Sequence, residues 1–194
     1  MNKINPIFIH NTSEVESPNL IGVGTKVWHY SHIMKNVSVG KNCIIGQNVF
    51  IGSNVVIGDN VKIQNNVSLY DGIICENNVF IGPSSVFTNV LNPRSFIERK
   101  TEFKKTILKI NSSIGANATI ICGNELGISA FVGAGSVVTK AVNDYELVVG
   151  NPAKHLYWIS EYGDKLIFDE NNIAKCNLSK QLYKIENNKI NKIK

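Results

Sequence analysis

The chain has 194 residues, of which 43% are hydrophobic and 18% are charged, and its formal net charge is +5. These values are typical of one globular domain with a small appendage and exclude a largely disordered chain. No segment is apolar over the length that a bilayer requires, and Met1 to His10 lack the apolar region and cleavage site of a secretory signal. We therefore expect a cytoplasmic protein without membrane insertion. The positive charge forms no run along a helix and is not interleaved with aromatic residues, so nucleic-acid binding is a weak alternative to an anionic small molecule.

Residues 1–20 contain one short apolar run, Pro6 to Ile9, and then a polar segment that ends at Ser17-Pro18. We expect this segment to be a capping strand, because the first repeat of a solenoid needs a cover over its open end.

From Ile21 to Phe87 a small or apolar residue returns at every sixth position, and a second apolar series runs four positions later. A period of six is a multiple of the strand period of two and does not fit the helical period of 3.6. Hexapeptide repeats are typical of a parallel β-helix, in which three repeats make one coil of about 18 residues. The sequence therefore predicts an all-β solenoid over residues 21–153.

Positions one coil apart should stack in columns on the outside of this solenoid. One column holds Tyr30, Asn48, Asn66 and Ser84, its neighbour holds His29, Gln47, Asn65 and Pro83, and a third holds Ser53, Asp71 and Asn89. Such columns could line a groove that recognises hydroxyl groups and a nucleotide. Asparagine is also a common turn residue that tolerates left-handed backbone. We favour the turn role for Asn42, Asn54 and Asn60, and both roles stay open for Gln64 to Asn66 with Tyr70-Asp71.

The repeat breaks at residues 90–107, where Arg94, Arg99, Lys100, Lys104 and Lys105 outnumber two glutamates. After this segment the period returns at Leu108 and Ile114, but the distance in sequence from Phe87 to Ile114 is not a multiple of six. The segment is therefore predicted to be a loop pushed out of the coil. Long loops in compact domains are often functional, and the alternative is a solvated basic loop.

The second block of coils should end near Pro152, which cannot donate to a strand ladder. Residues 154–194 are expected to form a C-terminal extension with a mobile end after Glu186. Tyr157 to Ile159 and Leu166 to Phe168 are expected to form short strands or a hairpin packed against the last coil.

The four cysteines, Cys43, Cys75, Cys122 and Cys176, form no CxxC pair and are predicted to be buried free thiols. The sequence contains no nucleophile elbow, P-loop, HExxH motif or metal-spaced His/Cys cluster. Covalent and metal-dependent catalysis are therefore poorly supported, and we expect no metal.

Several segments contain specific residues that the six-residue period does not require. They are Trp28-His29, IGQNVFIG (45–52), VKIQNNVSLYDG (61–72), GPSSVFTNVLNPRS (82–95), GANATIICG (115–123), FVGAGSVVTK (131–140) and VVGNPAK (148–154). Over residues 5–168 the chain resembles the left-handed β-helix N-acyltransferases, and more narrowly the bacterial nucleotide-sugar 3-N-acetyltransferases. The resemblance implies a left-handed parallel β-helix and a homotrimer with active sites between neighbouring subunits. It also implies transfer of an acetyl group from acetyl-CoA to the 3-amino group of a UDP- or dTDP-linked 3-amino-3-deoxyhexose, for lipopolysaccharide or capsule synthesis.

The resemblance also implies site residues. Asn89 would lie next to the attacking nitrogen. Acetyl-CoA would be bound by Gly115, Asn117, Ala118, Gly133, Ala134, Lys140 and Lys154. The nucleotide sugar would be bound by Gln47, Asn48, Asn65, Asn66, Tyr70, Asp71, Ser84, Arg94, Arg99 and Lys100.

Asparagine cannot act as a base near neutral pH, so catalysis would depend on orientation and on a backbone donor at the thioester oxygen. Some relatives have a histidine where this chain has Asn124, which argues against a histidine base at that position. The sequence leaves open uracil or thymine, and a 5-carboxylate or a 6-deoxy sugar. A 4-amino sugar or a serine-type O-acetyl acceptor is the nearest alternative substrate. A zinc-dependent or non-catalytic hexapeptide trimer is the alternative from another class.

Overall fold

A computed structural model describes residues 6–193 of the chain. The structure is an all-β solenoid of parallel strands, which confirms the predicted β-helix of hexapeptide repeats. One short 3-10 helix, Pro18–Leu20, interrupts the strands. Within the described part of the chain, no helix has the length and apolarity needed to cross a membrane.

The coils have three faces, and each face is made of short strands. Face A consists of β1 (Phe8–Ile9), β3 (Lys26–Val27), β6 (Ile44–Ile45), β9 (Lys62–Ile63), β12 (Phe80–Ile81), β15 (Ser113–Ile114), β18 (Phe131–Val132) and β20 (Glu146–Val149). Face B is divided into two ladders. The first consists of β2 (Glu14–Val15), β4 (His32–Ile33), β7 (Phe50–Ile51) and β10 (Ser68–Leu69), and the second of β13 (Val86–Phe87), β16 (Thr119–Ile120) and β19 (Val137–Val138). Face C consists of β5 (Ser38–Val39), β8 (Val56–Ile57), β11 (Ile73–Cys75), β14 (Thr106–Leu108) and β17 (Glu125–Leu126).

The hexapeptide period produces this architecture because each two-residue strand points one side chain outward and one inward. Lys26 pairs with Ile44 and Ile44 with Lys62, so each of these coils consists of three hexapeptides, as the period predicts. The inward residues Ile45, Ile63 and Ile81 are completely buried and stack along the axis. Left-handed residues close the turns, among them Asn42, Asn54 and Asn60 with φ of 56°, 63° and 58°. The turn role predicted for these three asparagines is confirmed.

The solenoid begins earlier than predicted. Residues expected to be a separate cap form β1 and β2, which pair in parallel with β3 and β4. The reason is visible in the sequence, because Ile9 and Val15 continue the six-residue series ahead of Ile21 and pack against the core. Residues 1–5 of the expected cap lie outside the described residues.

The basic segment forms a loop between β13 and β14. Before the loop, a strand residue pairs with the residue three hexapeptides later, as Lys26 does with Ile44. Across the loop Phe87 pairs with Ile120, so the inserted segment makes this coil longer than the others. The Lys104 N–H donates to the Asn89 carbonyl oxygen at 2.9 Å and closes the base of the loop. Thr106 and Ile107, which were assigned to the loop, are already strand residues of β14.

The parallel stack ends at a turn through the cis Asn151-Pro152 peptide bond, after which β21 (Lys154–Trp158) returns antiparallel to β20. Beyond it, β22 (Ile173–Lys175), β23 (Leu182–Glu186) and β24 (Lys189–Lys192) form a small antiparallel sheet.

This C-terminal extension has its own core, made of Tyr145, Leu166, Ala174, Cys176, Tyr183 and Ile190. The end that was expected to be mobile after Glu186 is instead β24, which the left-handed pair Asn187-Asn188 turns back onto β23. The sequence there is polar, but Ile190 is only 5% exposed and anchors the strand. The strand expected at Leu166 to Phe168 is absent from the described residues, and Leu166 joins the second core from a loop.

Candidate active site

Most of the residues proposed for the site lie along two edges of face B, whereas Lys154 lies on β21 beside face A. The A–B corner is the series of turns that lead from face A to face B, and the B–C corner is the series that lead from face B to face C. The A–B corner carries Gln47, Asn48, Asn65, Asn66, Ser84, Asn117 and Ala134. The B–C corner carries Tyr70, Asp71, Asn89 and Lys140. The structure thus separates the proposed residues into two columns with one sheet between them.

Residues of the A–B corner have clear structural roles. Asn48, Asn66 and Ser84 adopt left-handed backbone with φ of 55°, 62° and 58°. The Asn48 Nδ2 donates to Asn66 Oδ1 at 3.0 Å, and the Gln47 N–H donates to Asn65 Oδ1 at 2.8 Å. Turn geometry and coil-to-coil hydrogen bonds therefore account for much of this polar column. Its glutamine and asparagine residues are still exposed to solvent and open to a ligand.

The B–C corner places Asn89 at the root of the inserted loop. Asn89 is half-buried, and its carbonyl oxygen is held by the Lys104 N–H. One coil below, the Tyr70 ring lies 6.1 Å from the Phe50 ring, and Asp71 Oδ2 accepts a hydrogen bond from Asn54 at 2.9 Å. Strand pairing on face B stops between β10 and β13, beside these residues. Asn89 is therefore fixed by the loop closure at a break in the sheet.

The inserted loop carries the other cations assigned to the nucleotide sugar. They line a cavity of about 350 Å³ together with apolar residues such as Val90, Ile97 and Phe103. Both Glu102 oxygens accept hydrogen bonds from Arg99 Nη1 at 2.8 Å, and Lys100 Nζ lies 3.5 Å from Glu98. Arg94 Nη1 donates to the carbonyl oxygen of Pro93. Among the described residues Arg94 has no acidic partner, so its charge is the most available of the three.

The small residues assigned to acetyl-CoA differ in their accessibility. Ala118 is completely buried in the core and Gly133 is also buried, so neither residue faces a ligand groove. The prediction that Ala118 binds acetyl-CoA is not supported, because the residue occupies an inward repeat position. A Cβ on Gly115 would lie 2.4 Å from the Ala134 nitrogen, so coil packing itself requires this glycine. Asn117 and Ala134 remain exposed on the A–B corner.

Lys140 and Lys154 come together around a cavity of about 190 Å³ at the end of the solenoid. Glu146 lies in its wall and is only 8% exposed. Its carboxylate accepts hydrogen bonds from the Asn143 N–H and from His155 Nδ1, at 2.8 and 3.1 Å. Because none of the ion pairs among the described residues uses Lys140 or Lys154, both cations can attract an anion here.

Sequence reasoning missed the Glu146–His155 pair of this cavity. The turn at Asn151-Pro152 was recognised as the end of the stack, but not as a hairpin that folds β21 back on β20. A hairpin centred on this turn would have placed His155 near Val148, its partner in the observed register.

The other three histidines and Asn124 make contacts within the chain. His10 stacks on His29 with ring centres 3.5 Å apart, and His32 pairs with Glu16 at 3.0 Å, where its hydrogen bond lowers the pKa of the Glu16 carboxyl. Asn124 Nδ2 donates to the Ile121 carbonyl oxygen, which is a local turn contact.

All four cysteines are buried and free, as predicted, and burial raises the pKa of the Cys75 thiol to about 12. Within residues 6–193, no three His, Cys, Asp or Glu side chains are grouped as metal ligands.

Comparison with known families identifies the repeats. Residues 20–53 match the bacterial transferase hexapeptide family (six repeats), and residues 110–140 match the hexapeptide repeat of succinyl-transferase. The solved structure of a hexapeptide transferase family protein from Anaplasma phagocytophilum is similar, with a TM-score of 0.54, 20% identity and coverage of 81% of both chains. The acetyltransferase domain of PglB from Neisseria gonorrhoeae, solved in complex with acetyl coenzyme A, has a TM-score of 0.53 and 19% identity over 80% of this chain and 60% of that one. At these identities the two structures support the fold alone.

The sequence comparison is more specific. The dTDP-3-amino-3,6-dideoxy-alpha-D-galactopyranose 3-N-acetyltransferase of Aneurinibacillus thermoaerophilus is 41% identical over 174 residues, which cover 90% of this chain and 89% of that enzyme. A tetrahydropyridine-dicarboxylate N-acetyltransferase of Staphylococcus aureus is 36% identical over 87 residues, but these cover only 45% of this chain and 34% of that enzyme. Near-complete alignment to the first of these relatives shows that the chain belongs to the nucleotide-sugar 3-N-acetyltransferase family of hexapeptide-repeat proteins.

Proposed function

We propose that this protein transfers the acetyl group of acetyl-CoA to the 3-amino group of a dTDP- or UDP-linked 3-amino-3-deoxyhexose. The observation that carries the proposal is the 41% identity to a dTDP-3-amino-3,6-dideoxygalactose 3-N-acetyltransferase across 90% of the chain. That relative favours thymine and a 6-deoxy sugar among the alternatives left open by the sequence. The product would serve surface polysaccharide synthesis, and the enzyme would work in the cytoplasm as a homotrimer.

In the proposed reaction the neutral 3-amino nitrogen attacks the thioester carbonyl carbon. A carbon–nitrogen bond forms, the carbon–sulfur bond breaks, and CoA leaves as a thiolate. The nitrogen loses one proton to solvent or to the departing thiolate. The side-chain amide of Asn89 would position the amine, because it can accept a hydrogen bond from the amine but cannot take up its proton near neutral pH.

Different parts of the structure support binding of acetyl-CoA and binding of the nucleotide sugar. The cavity beside Lys140 and Lys154 supports binding of the phosphate groups of acetyl-CoA, since its two cations have no acidic partner in the described chain and Glu146 is satisfied by Asn143 and His155. Asn117 and Ala134, exposed on the A–B corner, support contact with the pantetheine arm. Arg94 on the inserted loop supports binding of the diphosphate of the nucleotide sugar.

A thiol-release assay with purified protein and acetyl-CoA tests the proposal. dTDP-3-amino-3,6-dideoxygalactose should release CoA at least a hundredfold faster than the matched 4-amino isomer, because the two compounds differ only in where the amine meets the thioester. Faster release with the 4-amino isomer would replace the proposed acceptor by the nearest alternative. No release above background with either isomer, or with their UDP counterparts, would reject the proposal.

A further inference from the structure

An aromatic cluster covers the first two coils of the A–B corner. It consists of Phe8, His10, Trp28, His29 and Tyr30. The His10 and His29 rings are stacked with centres 3.5 Å apart, and the Trp28 and His29 rings are parallel within 6°. Phe8 lies 5.4 Å from Trp28, and Tyr30 lies 6.1 Å from His29. Tyr30 and His29 belong to the polar columns that the sequence predicts at this corner, but no ring of the cluster is among the site residues assigned above.

Tyr30 is the exception in its column. It has a φ of 57°, at the position where the coils above have Asn48, Asn66 and Ser84. A bulky residue is disfavoured in this left-handed conformation, whereas asparagine tolerates it. The second tyrosine with positive φ, Tyr145, is explained by packing, because it is 7% exposed and contacts the Tyr183 ring at 5.4 Å. Tyr30 is 63% exposed, so core packing does not explain it.

The strained turn is held in place by a hydrogen-bond chain. The Tyr30 N–H donates to Thr12 Oγ1 at 3.0 Å, and that hydroxyl lies 2.9 Å from His10 Nδ1. The Thr12 N–H also points to His10 Nδ1, so this ring nitrogen acts as the acceptor for both groups. The chain fixes the His10 ring beneath His29 and Tyr30 beside it. Strain that persists on a fixed and exposed aromatic residue is characteristic of a binding surface.

We propose that the exposed Tyr30 ring, with the His29 ring tilted at its edge by 48°, is a stacking platform for the pyrimidine base of the nucleotide sugar. This inference rests on the proposed function, because the relative at 41% identity is named for a dTDP-linked substrate. Aromatic rings are the usual stacking partners of single bases in proteins. The exposed Asn48 and Asn66 follow directly above Tyr30 on the same corner and would meet the ribose or diphosphate. The base therefore lies toward the N-terminal end of the solenoid. Because Asn89 is on the B–C corner, the amino sugar would meet the Asn89 of a neighbouring subunit in the proposed homotrimer.

Isothermal titration calorimetry with dTDP, without the sugar, tests the platform. The informative variant is Tyr30→Asn, because asparagine is the residue that the next two coils use at this turn and should keep the fold intact. The matched control is Tyr162→Asn, which removes a tyrosine of similar exposure, 66%, from the C-terminal extension. We expect Tyr30→Asn to raise the Kd for dTDP about tenfold, which is the order of one lost stacking contact. Tyr162→Asn should leave the Kd unchanged.

Two results would overturn the platform. One is an unchanged Kd for dTDP in Tyr30→Asn, and the other is a change in the sedimentation mass of this variant, which would make the cluster a subunit contact instead. The readout separates this inference from the proposed function. If the wild-type protein acetylates the 3-amino sugar and Tyr30→Asn binds dTDP normally, only the platform fails. If the wild-type protein binds dTDP through Tyr30 but acetylates no 3-amino sugar, only the proposed function fails.

Discussion

At the scale of single residues, the polar columns show how one side chain can serve the fold and a ligand at once. Asn66 has a φ of 62° and accepts a hydrogen bond from Asn48, and its side chain remains exposed. The turn role was open for this residue in the sequence because asparagine suits both a left-handed turn and a sugar hydroxyl. The backbone geometry confirms the turn role of Asn66. A contact of its side chain with the sugar is tested by substitution.

Substitution of Asn66 separates the two roles. Asn66→Ala should lower the free energy of unfolding by about 1 kcal/mol, because an alanine side chain is strained in left-handed backbone. Asn66→Gly should cost less, because glycine adopts this conformation freely. Urea unfolding of both variants measures the turn. If the KM for the nucleotide sugar rises in Asn66→Gly as much as in Asn66→Ala, the side chain also binds substrate, and an unchanged KM in both variants would contradict its assignment to the site.

At the scale of elements, the inserted loop is separable from the solenoid that carries it. Residues 91–98 are all exposed, and the loop is closed at its base by the Lys104–Asn89 hydrogen bond. Phe96 is 83% exposed, and Leu91 is 61% exposed. Apolar side chains this exposed contribute little to the stability of the isolated chain.

Deletion of residues 90–104 should therefore preserve the solenoid and remove the activity. The deletion places Leu108 six positions after Phe87, which is the hexapeptide spacing. Lys105 then occupies the turn position that Gly72 occupies in the coil below, where φ is 93°. The deletion should be combined with Lys105→Gly to suit that turn. We expect a native circular dichroism spectrum, unchanged binding of acetyl-CoA, and at least a hundredfold loss of acetyl transfer. Full activity in the folded variant would show that the loop is only a solvated basic segment.

The sequence predicted the strands of residues 21–87 because the period of six places one inward residue on each face. It also located the loop, because the inserted segment interrupts that period between Phe87 and its partner Ile120. It did not predict the C-terminal extension, where short strands pair antiparallel without a repeat and are held by scattered residues such as Tyr183 and Ile190. The cavity of Lys140 and Lys154 depends on the hairpin of β20 and β21, which the sequence did not predict. The strain at Tyr30 depends on backbone angles, and only its departure from the asparagine column could have indicated it.

At the scale of the whole molecule, the core is a continuous aliphatic column with buried thiols inside it. Burial raises the pKa of Cys75 from its ordinary value near 9 to about 12, and it also raises the pKa of Cys43. A thiol whose pKa is higher in the folded state stabilises the fold below its unfolded pKa, and that contribution is lost as the pH rises toward the folded pKa.

The free energy of unfolding should therefore fall as the pH rises from about 9 to about 12. Cys75→Val should flatten this dependence, because valine fills the inward position without a titrating group. Cys176→Ala is the control, since burial of this thiol is outweighed by its hydrogen bonds with Ser160 and Ser179, which lower its pKa. Guanidinium unfolding at several pH values measures the slope. Equal slopes for the wild-type protein and Cys75→Val would contradict this role for the buried thiol.

The central claim is that the chain acetylates the 3-amino group of a nucleotide-linked hexose. The most direct measurement is mass spectrometry of dTDP-3-amino-3,6-dideoxygalactose after incubation with acetyl-CoA and the purified protein, with Asn89→Ala as the comparison. We expect a product heavier by one acetyl group, with the acetyl on the 3-nitrogen by NMR, and a much slower reaction with Asn89→Ala. Unmodified sugar after prolonged incubation, with the UDP-linked 3-amino sugar unmodified as well, would contradict it.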